Sequence, residues 1–228
     1  MAAAEGYDVC VNYTRNQAAA AEVVADCRAA GVSAMAVQAD VRDEQQVIDL
    51  FEESEHELGE LSVLVNNAGI LHTQARVDEF SLERLREVVD VNIIGAFLCA
   101  REAVRHMSTR HGGEGGSIVN VSSAASYLGS PNEFVDYAAT KGAMDTMTVG
   151  LAKEVAAEGI RVNAVRPGLI DTEIHASSGE PDRVQRLASN VPMQRGGTAD
   201  EVASLILYLA SDAASYMSGS LINVSGGR

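Results

Sequence analysis

Residues 61–69, LSVLVNNAG, are a short apolar run that ends in two asparagines and a turn of small residues. The run carries Val and Leu with little alternation of polar and apolar side chains, which is typical of a parallel strand buried on both faces. Residues 82–111 follow with a helical pattern. A buried strand followed by a helix is the repeating unit of an α/β fold.

The same alternation continues along the whole chain. Further strand patterns lie at 8–13, 33–40, 116–123, 160–168 and 220–227, and further helical patterns lie at 17–30, 43–58, 135–158 and 199–210. Strands that alternate with helices predict right-handed crossovers and a doubly wound parallel sheet. No linker or repeat divides residues 1–228, so we expect a single domain. The polar stretch at about 170–190 follows a strand and is the expected substrate loop.

Composition and charge exclude several classes of protein. The 228 residues carry a formal charge of −15, which opposes binding to nucleic acid or to an anionic membrane surface. No apolar run reaches the ~18 residues that a membrane span needs. Three widely spaced cysteines make no metal motif and are expected to be reduced thiols of a cytoplasmic protein. We therefore expect no metal site.

YAATK, residues 137–141, places a phenol and an ammonium four residues apart on a predicted helix. That spacing puts Tyr137 and Lys141 on one helical face. A free Tyr hydroxyl, with a pKa of about 10, is a poor acid–base catalyst at neutral pH, and a neighbouring cation lowers that pKa. The pair is therefore a candidate proton-transfer site.

Two further motifs carry polar groups to places where ligands bind. IVNVSSAAS, residues 118–126, ends a predicted strand with Ser122 and Ser123, and either hydroxyl could hydrogen-bond a substrate carbonyl. DVNIIG, residues 90–95, places Asn92 inside a long apolar helix, where its side chain needs a partner. Each motif alone is also compatible with a purely structural role.

The order of the motifs is more specific than any one of them. NNAG, VN, SS, YxxxK and PG begin at residues 66, 91, 122, 137 and 167. In this order they resemble the short-chain dehydrogenase/reductase family, and the resemblance covers residues 1–228. It implies a Rossmann-like fold and hydride transfer between a nicotinamide cofactor and a carbonyl or secondary alcohol. Residues 191–227 look like the oxoacyl-reductase and sugar-dehydrogenase branch.

The resemblance assigns four catalytic residues. It implies that Tyr137 is the acid–base, that Lys141 lowers the pKa of Tyr137 and binds the nicotinamide ribose, and that Asn92 holds a water in the proton relay. Ser123 is the better match for the serine that orients the substrate carbonyl. Fourteen positions separate Ser123 from Tyr137, one more than is usual in the family, so one residue is expected to be inserted in GSPNEFVD, residues 129–136.

The resemblance also assigns the cofactor contacts. The residues that it places beside the adenine, the adenine ribose and the nicotinamide are Asp40, Val41, Asn66, Ala68, Gly69, Pro167, Gly168, Ile170 and Thr172, together with Tyr137 and Lys141. NAD-dependent members carry an acid at the end of the strand that binds the ribose 2′-hydroxyl. Here that place holds Asn12, Tyr13 and Thr14, followed by Arg15. An arginine can pair with a 2′-phosphate, so NADP is expected, with NAD possible.

The glycine-rich turn that binds the cofactor pyrophosphate in this family has no match in the sequence. MAAAEG, residues 1–6, looks like the end of the helix that follows that turn. The first strand, the turn and most of that helix, roughly 20–25 residues, are therefore expected to be missing. Two explanations stay open: the start was assigned too late, or the shortened chain is real and adapted.

A second function is compatible with this gap. A chain without the pyrophosphate turn could be a non-catalytic, oligomeric member of the family, although all four catalytic residues are present. The resemblance further implies a homotetramer or a homodimer, assembled in relatives through the helix at 199–210 and the last strand. The expected partners are small carbonyl or alcohol substrates.

Overall fold

The computed structural model describes residues 1–174 and 178–228. Three residues of the expected substrate loop, 175–177, lie outside the described part of the chain. The polypeptide opens with a 3₁₀ turn over Ala2–Glu5 that ends at Gly6, whose φ of 89° is left-handed. The strands in the described residues are β1 (Val9–Tyr13), β2 (Ala34–Gln38), β3 (Val63–Asn66), β4 (Gly116–Val121), β5 (Ile160–Pro167) and β6 (Leu221–Val224).

Helices follow the strands nearly where the sequence predicts them. They are α1 (Gln17–Ala29), α2 (Glu44–Leu58), α3 (Leu82–Val89), α4 (Ala96–Met107), α5 (Ala125–Leu128), α6 (Val135–Val155), α7 (Arg183–Leu187) and α8 (Ala199–Ala210). Polar side chains cap the first turns of α1, α2, α3 and α8, because the first backbone N–H groups of a helix have no partner within it. Among the described residues, no helix combines the length and the apolar character needed to cross a bilayer.

All strand pairs are parallel, as expected, but they form two sheets rather than one. β1 pairs with β2, and the order of the second sheet is β3-β4-β5-β6. The register aligns Val9 with Ala34 in the first sheet and Val119 with Asn163 in the second. β1 and β3 are therefore not hydrogen-bonded to each other.

The larger sheet is covered on both faces, which explains its unbroken apolar sequence. On β4, Ile118 packs into a core cluster with α2, α4 and the end of α6, whereas Val119 packs into a cluster with α8 on the opposite face. Val162 and Val165 divide between the same two clusters on β5. The architecture is thus a doubly wound α/β domain, and the carboxyl ends of its central strands are open to ligands.

The helix expected over 82–111 is interrupted. Residues Asp90–Gly95 form a π-helical segment between α3 and α4, and α4 ends at Met107. Single π-turns inside α-helices are rare and are frequent at functional sites. Gly95 is required there because a Cβ atom would lie 2.6 Å from Cγ2 of Val41.

β1 and β3 each have one hydrogen-bonded strand partner among the described residues. The side chain of Val65 on β3 is 42% exposed, whereas the neighbouring Leu64 packs against the core. One edge of each strand is therefore without a hydrogen-bonded strand in the described part of the chain. The expectation that the family's first strand and glycine-rich turn are missing stays a prediction.

Candidate active site

A cavity of about 1150 Å³ opens at the carboxyl ends of β4 and β5. This is the edge at which open α/β sheets bind ligands. The predicted site residues that line it are Ala68, Gly69, Ser123, Tyr137, Lys141, Pro167, Gly168, Ile170 and Thr172. The fold therefore brings together residues that are up to about a hundred positions apart in the sequence.

The two serines after β4 have different surroundings. Ser122 is buried, and its Oγ donates to the carbonyl of Lys141 at 3.2 Å, so it ties β4 to α6. Ser123 lies in the cavity, where its Oγ accepts a hydrogen bond from the backbone N–H of Ala125 at 3.1 Å and its side chain also hydrogen-bonds Tyr137. The structure thus favours Ser123 over Ser122 as the hydroxyl available to a substrate.

The Tyr137 hydroxyl does not have the depressed pKa that the neighbouring lysine was expected to produce. Burial raises its pKa to about 12, and the hydrogen bond with Ser123 acts in the opposite direction. The ammonium of Lys141 lies 5.6 Å from the centre of the Tyr137 ring. In the protein alone, desolvation therefore outweighs the effect of the cation, and Tyr137 is protonated at neutral pH.

Lys141 is the most deeply buried charged group of the site. Its Nζ donates to the carbonyl of Val121 at 2.7 Å and approaches Sδ of Met144 at 3.9 Å. Burial lowers its pKa to about 8, and the nearby carboxylate of Asp145 raises it. Asp145 in turn accepts hydrogen bonds from Arg166 at 2.7 and 3.0 Å.

Asn92 lies behind the cavity, in the π-helical segment, and is completely buried. Its Oδ1 accepts from the N–H of Ile70 at 2.8 Å, and its Nδ2 donates to the carbonyl of Ile70 at 2.9 Å and to Oγ1 of Thr140 at 3.1 Å. Thr140 donates to the carbonyl of Tyr137 at 2.7 Å. Asn92 therefore fixes the turn after β3 to the helix that carries the tyrosine. Its role in a proton relay stays a prediction.

Two glycines line the part of the cavity where the nicotinamide is predicted to bind. A Cβ atom on Gly69 would lie 3.4 Å from Oδ1 of Asn92 and 3.6 Å from Nζ of Lys141, so the glycine keeps the space beside both groups open. At Gly168 a Cβ atom would lie 2.7 Å from Cα of Ser225, which requires glycine there. Gly69, Lys141 and Gly168 thus border one accessible surface of the cavity.

The two asparagines at the end of β3 have different surroundings: Asn66 lies in the core and Asn67 at the cavity. Asn66 is buried and its Nδ2 donates to the carbonyl of Ala96 at 2.9 Å, so its side chain holds α4 rather than facing a ligand. The next residue, Asn67, lines the cavity. Sequence reasoning named Asn66 and missed Asn67, because motif matching does not show which of two adjacent amides faces outward.

The residues predicted to select the nucleotide lie at the carboxyl end of the smaller sheet and do not line this cavity. Nδ2 of Asn12 donates to the carbonyl of Ala39 at 2.9 Å, and Gln38 donates from Nε2 to the carbonyl of Thr14 at 3.0 Å. The backbone carbonyl of Tyr13 accepts a hydrogen bond from the backbone N–H of Ala39. The side chain of Asn12 therefore joins β1 to β2, and Arg15 beyond them is exposed.

Asp40 has a partner that the sequence analysis missed. Nε of Arg42 donates to both carboxylate oxygens at 3.0 Å, and its Nη2 donates to Oδ2 at 2.6 Å. The hydrogen bond from Arg42 holds the pKa of Asp40 below its usual value, with a smaller contribution from Arg15. Val41 packs beneath the π-helical segment. A cation two positions after an acid was the available signal for this pair.

Comparisons with known proteins agree with this geometry. A family model described as enoyl-(acyl carrier protein) reductase matches residues 1–228. The chain is 57% identical over 226 residues to the "uncharacterized oxidoreductase YgfF" of Escherichia coli K12, covering 99% of this chain and 92% of that protein.

Solved structures superpose on it closely. A short-chain type dehydrogenase/reductase from Mycobacterium marinum has a TM-score of 0.91 at 34% identity, covering 99% of this chain and 87% of that one. A 3-ketoacyl-(acyl-carrier-protein) reductase from Brucella melitensis, in complex with NADH, has a TM-score of 0.87 at 31% identity, with coverages of 96% and 87%. A blue fluorescent protein from a metagenomic library, in complex with NADPH, has a TM-score of 0.89 at 30% identity, with coverages of 99% and 89%.

The full-length match to the family model and the identity to YgfF agree with the placement of Ser123, Tyr137 and Lys141 around one cavity. The chain is an α/β oxidoreductase with a Rossmann-like fold, and it belongs to the short-chain dehydrogenase/reductase family.

Proposed function

We propose that this protein transfers a hydride between a nicotinamide cofactor, with NADP preferred, and a carbonyl or secondary alcohol, with Tyr137 as the acid–base. The observation that carries the proposal is the convergence of Tyr137, Ser123 and Lys141 on one cavity at the carboxyl ends of β4 and β5. The cofactor, when bound, supplies the hydride; the chain supplies position and proton transfer.

In this proposal each side chain has a separate task in carbonyl reduction. Ser123 donates a hydrogen bond to the substrate oxygen and stabilises the charge that develops on it. Tyr137 gives its hydroxyl proton to the same oxygen, and its pKa of about 12 means that this proton is present at neutral pH. Lys141 contributes positive charge beside the ring, and Asn92 fixes the helix that carries both.

An NADPH- and NADH-consumption screen over β-ketoacyl thioesters, β-keto esters, diketones, small aldehydes and keto sugars tests the activity. Oxidation of either cofactor with at least one of these carbonyls is the expected result, and the oxoacyl-reductase branch predicts the β-keto compounds as the best class. A folded chain that binds neither nucleotide would favour the non-catalytic reading instead.

The NADP preference rests on Arg15 and on the absence of an acid at residues 12–14. Asp40, an acid that interacts electrostatically with Arg15, is engaged by Arg42, so its charge is largely compensated. The related solved structures include one complex with NADH and one with NADPH, so these relatives do not decide which nucleotide this protein prefers.

Replacing Arg15 with aspartate is expected to weaken NADPH binding about 10- to 100-fold and to leave NADH binding within about threefold, because an arginine pairs with phosphate and a carboxylate repels it. Fluorescence titration with both nucleotides measures the change. Arg110→Asp makes the same change of charge at another exposed arginine and serves as the control. Unchanged NADPH affinity in Arg15→Asp would assign the preference to another group.

The assembly belongs to the same proposal. Tyr208 on α8 and Tyr216 before β6 are exposed, which supports the expected tetramer surface. A second apolar surface on α3 and α4 includes Leu82, Val89 and Phe97, which are 61%, 39% and 52% exposed. Two such surfaces suit a homotetramer better than a homodimer, and light scattering at micromolar concentration distinguishes them. We also propose a cytoplasmic location, supported by the three free thiols.

A further inference from the structure

Two segments face each other across the substrate side of the cavity. One is the loop at 129–134, between α5 and α6, and the other is the part of the substrate loop at 178–187, which includes α7. Glu133 and Phe134 from the first segment and Arg183 from the second line the cavity. These residues lie in the same cavity as Tyr137, but none of them has a role in proton transfer.

Arg183 joins the two segments through a charged and an aromatic contact. Its Nη2 donates a hydrogen bond to Oε2 of Glu133, and its guanidinium lies 5.1 Å from the centre of the Phe134 ring. Only 10% of its side chain is exposed. Arg183 is therefore a mostly buried cation, and loss of its bond to Glu133 removes a charged contact between the two segments while its contact with Glu180 at 3.3 Å remains.

The loop that presents Glu133 has an unusual backbone. Ser130 has a φ of 43° and Asn132 has a φ of 60°, both in the left-handed region that residues other than glycine seldom adopt. The carbonyl of Glu133 accepts the N–H of Ala75 at 3.1 Å, so the loop is also anchored to the turn after β3. The residue expected to be inserted between the serine and the tyrosine was assigned to residues 129–136, a stretch that includes this loop.

Arg183 also contacts a second acid, Glu180, but this contact lies within one segment and does not cross the cavity. Glu180 also accepts from Arg183, at 3.3 Å, and from Arg186, but all three of these residues belong to the same segment. Glu180 does not line the cavity. Loss of the Glu180 carboxylate therefore changes the segment locally, whereas loss of the Glu133 carboxylate removes a bridge between the two walls.

We propose that the Glu133–Arg183 pair closes the distal end of the substrate cavity and sets the length of the carbonyl compound that the enzyme accepts. The inference rests on the proposed function, because it assigns specificity residues for that same reaction. The pair holds residues 178–187 against residues 129–134, so compounds with short chains fit and longer chains meet the closed end. Both residues are positioning residues, since they act by holding the walls.

The experiment compares ethyl 3-oxobutanoate with ethyl 3-oxooctanoate, which share the reacting carbonyl and the ester and differ by four methylenes. The substitution Glu133→Gln keeps the shape of the side chain and removes its charge. We expect it to raise the ratio of kcat/KM for the long substrate to that for the short one by about 5- to 20-fold. Glu180→Gln is expected to change this ratio less than twofold.

Arg183→Met removes the guanidinium and keeps the length of the side chain, and it should raise the ratio as Glu133→Gln does. In that background Glu133→Gln should add less than twofold, because the two substitutions break one contact. An unchanged ratio in a folded Glu133→Gln protein overturns the proposal. An equal rise in Glu180→Gln also overturns it, because it would assign the effect to the loop alone.

Hydrogen exchange in the protein without substrate keeps this inference separate from the proposed activity. Glu133→Gln should increase exchange of the amides at 178–187 at least about fivefold, whether or not any ketone is reduced. If the wild-type chain reduces no carbonyl, the proposed function fails and this measurement decides whether the pair holds the segment. Exchange that is unchanged at 178–187 contradicts the closure itself.

Discussion

Replacing Tyr137 with phenylalanine is expected to lower kcat/KM for carbonyl reduction by about 10²- to 10⁴-fold, the range typical of a lost general acid. The substitution removes only the hydroxyl oxygen. The ring keeps its place in α6 and its position beside Lys141, so the fold should change little, and any loss of cofactor affinity should be small beside the loss of kcat/KM. Steady-state kinetics and a fluorescence titration with NADPH measure the two quantities on the same preparation.

Tyr127 offers a matched control for this substitution. Its hydroxyl donates to the backbone carbonyl of Arg228 at 2.8 Å, and its side chain is exposed. Tyr127→Phe therefore removes one tyrosine hydroxyl without touching the proposed proton donor, and should alter kcat/KM less than about threefold. A Tyr137→Phe protein that keeps more than a tenth of the wild-type activity would show that the proton comes from another group.

Replacing Lys141 with methionine is expected to abolish most activity and at the same time to stabilise the folded protein. Burial lowers the pKa of Lys141 from 10.5 to about 8, which means that the folded state pays to keep the ammonium charged at neutral pH. Removal of the buried ammonium should raise the free energy of unfolding by about 3 kcal/mol, and loss of its hydrogen bond to the carbonyl of Val121 should lower it by about 1 kcal/mol. A net gain of about 1–3 kcal/mol in the free energy of unfolding follows.

The pH dependence of this gain has a definite sign. A lysine with a lower pKa in the folded state binds fewer protons there than in the unfolded state, so wild-type stability rises with pH between about 8 and 10.5. The advantage of Lys141→Met is therefore complete below pH 8, shrinks across that interval and disappears above it. The raised pKa of Tyr137 lowers stability between pH 10 and 12, and the same buried tyrosine is present in both proteins.

Denaturant unfolding at pH 7, 9 and 10.5 measures the difference. The other lysine of the chain, Lys153, lies on the same helix and is exposed, so Lys153→Met is the control and should change stability by less than about 0.5 kcal/mol. A Lys141→Met protein that is less stable than wild type at pH 7 would mean that the ammonium contributes more to the fold through its contacts than it costs through burial.

The parts of the fold that follow from local pattern could be predicted from the sequence. The strands and most helices lie within a few residues of their predicted bounds, because hydrophobic periodicity and capping residues such as Asp43 and Thr198 are local signals. The interruption of the helix at 90–95 has no comparable signal. It depends on tertiary contacts, namely the packing of Gly95 on Val41 and the hydrogen bonds between Asn92 and Ile70.

The candidate site likewise has features that the sequence predicts and features that only the folded structure shows. The motifs identify Ser123, Tyr137 and Lys141, and the fold places them around one cavity. They do not give the pKa of Tyr137, because the balance between desolvation and a nearby cation depends on burial. Nor do they pair Glu133 with Arg183, since fifty positions separate these residues and only the folded loop brings them into contact.

The division of the strands into two sheets has a consequence for how the protein behaves in solution. The unpaired edges of β1 and β3 carry backbone groups without a strand partner among the described residues, and Val65 is exposed beside one of them. Such edges are templates on which extended polypeptide adds as a new strand. A net charge of −15 disperses the folded molecules by mutual repulsion, and that repulsion weakens as salt is added. We therefore expect low ionic strength to hinder strand addition at these edges and concentrated salt to favour it.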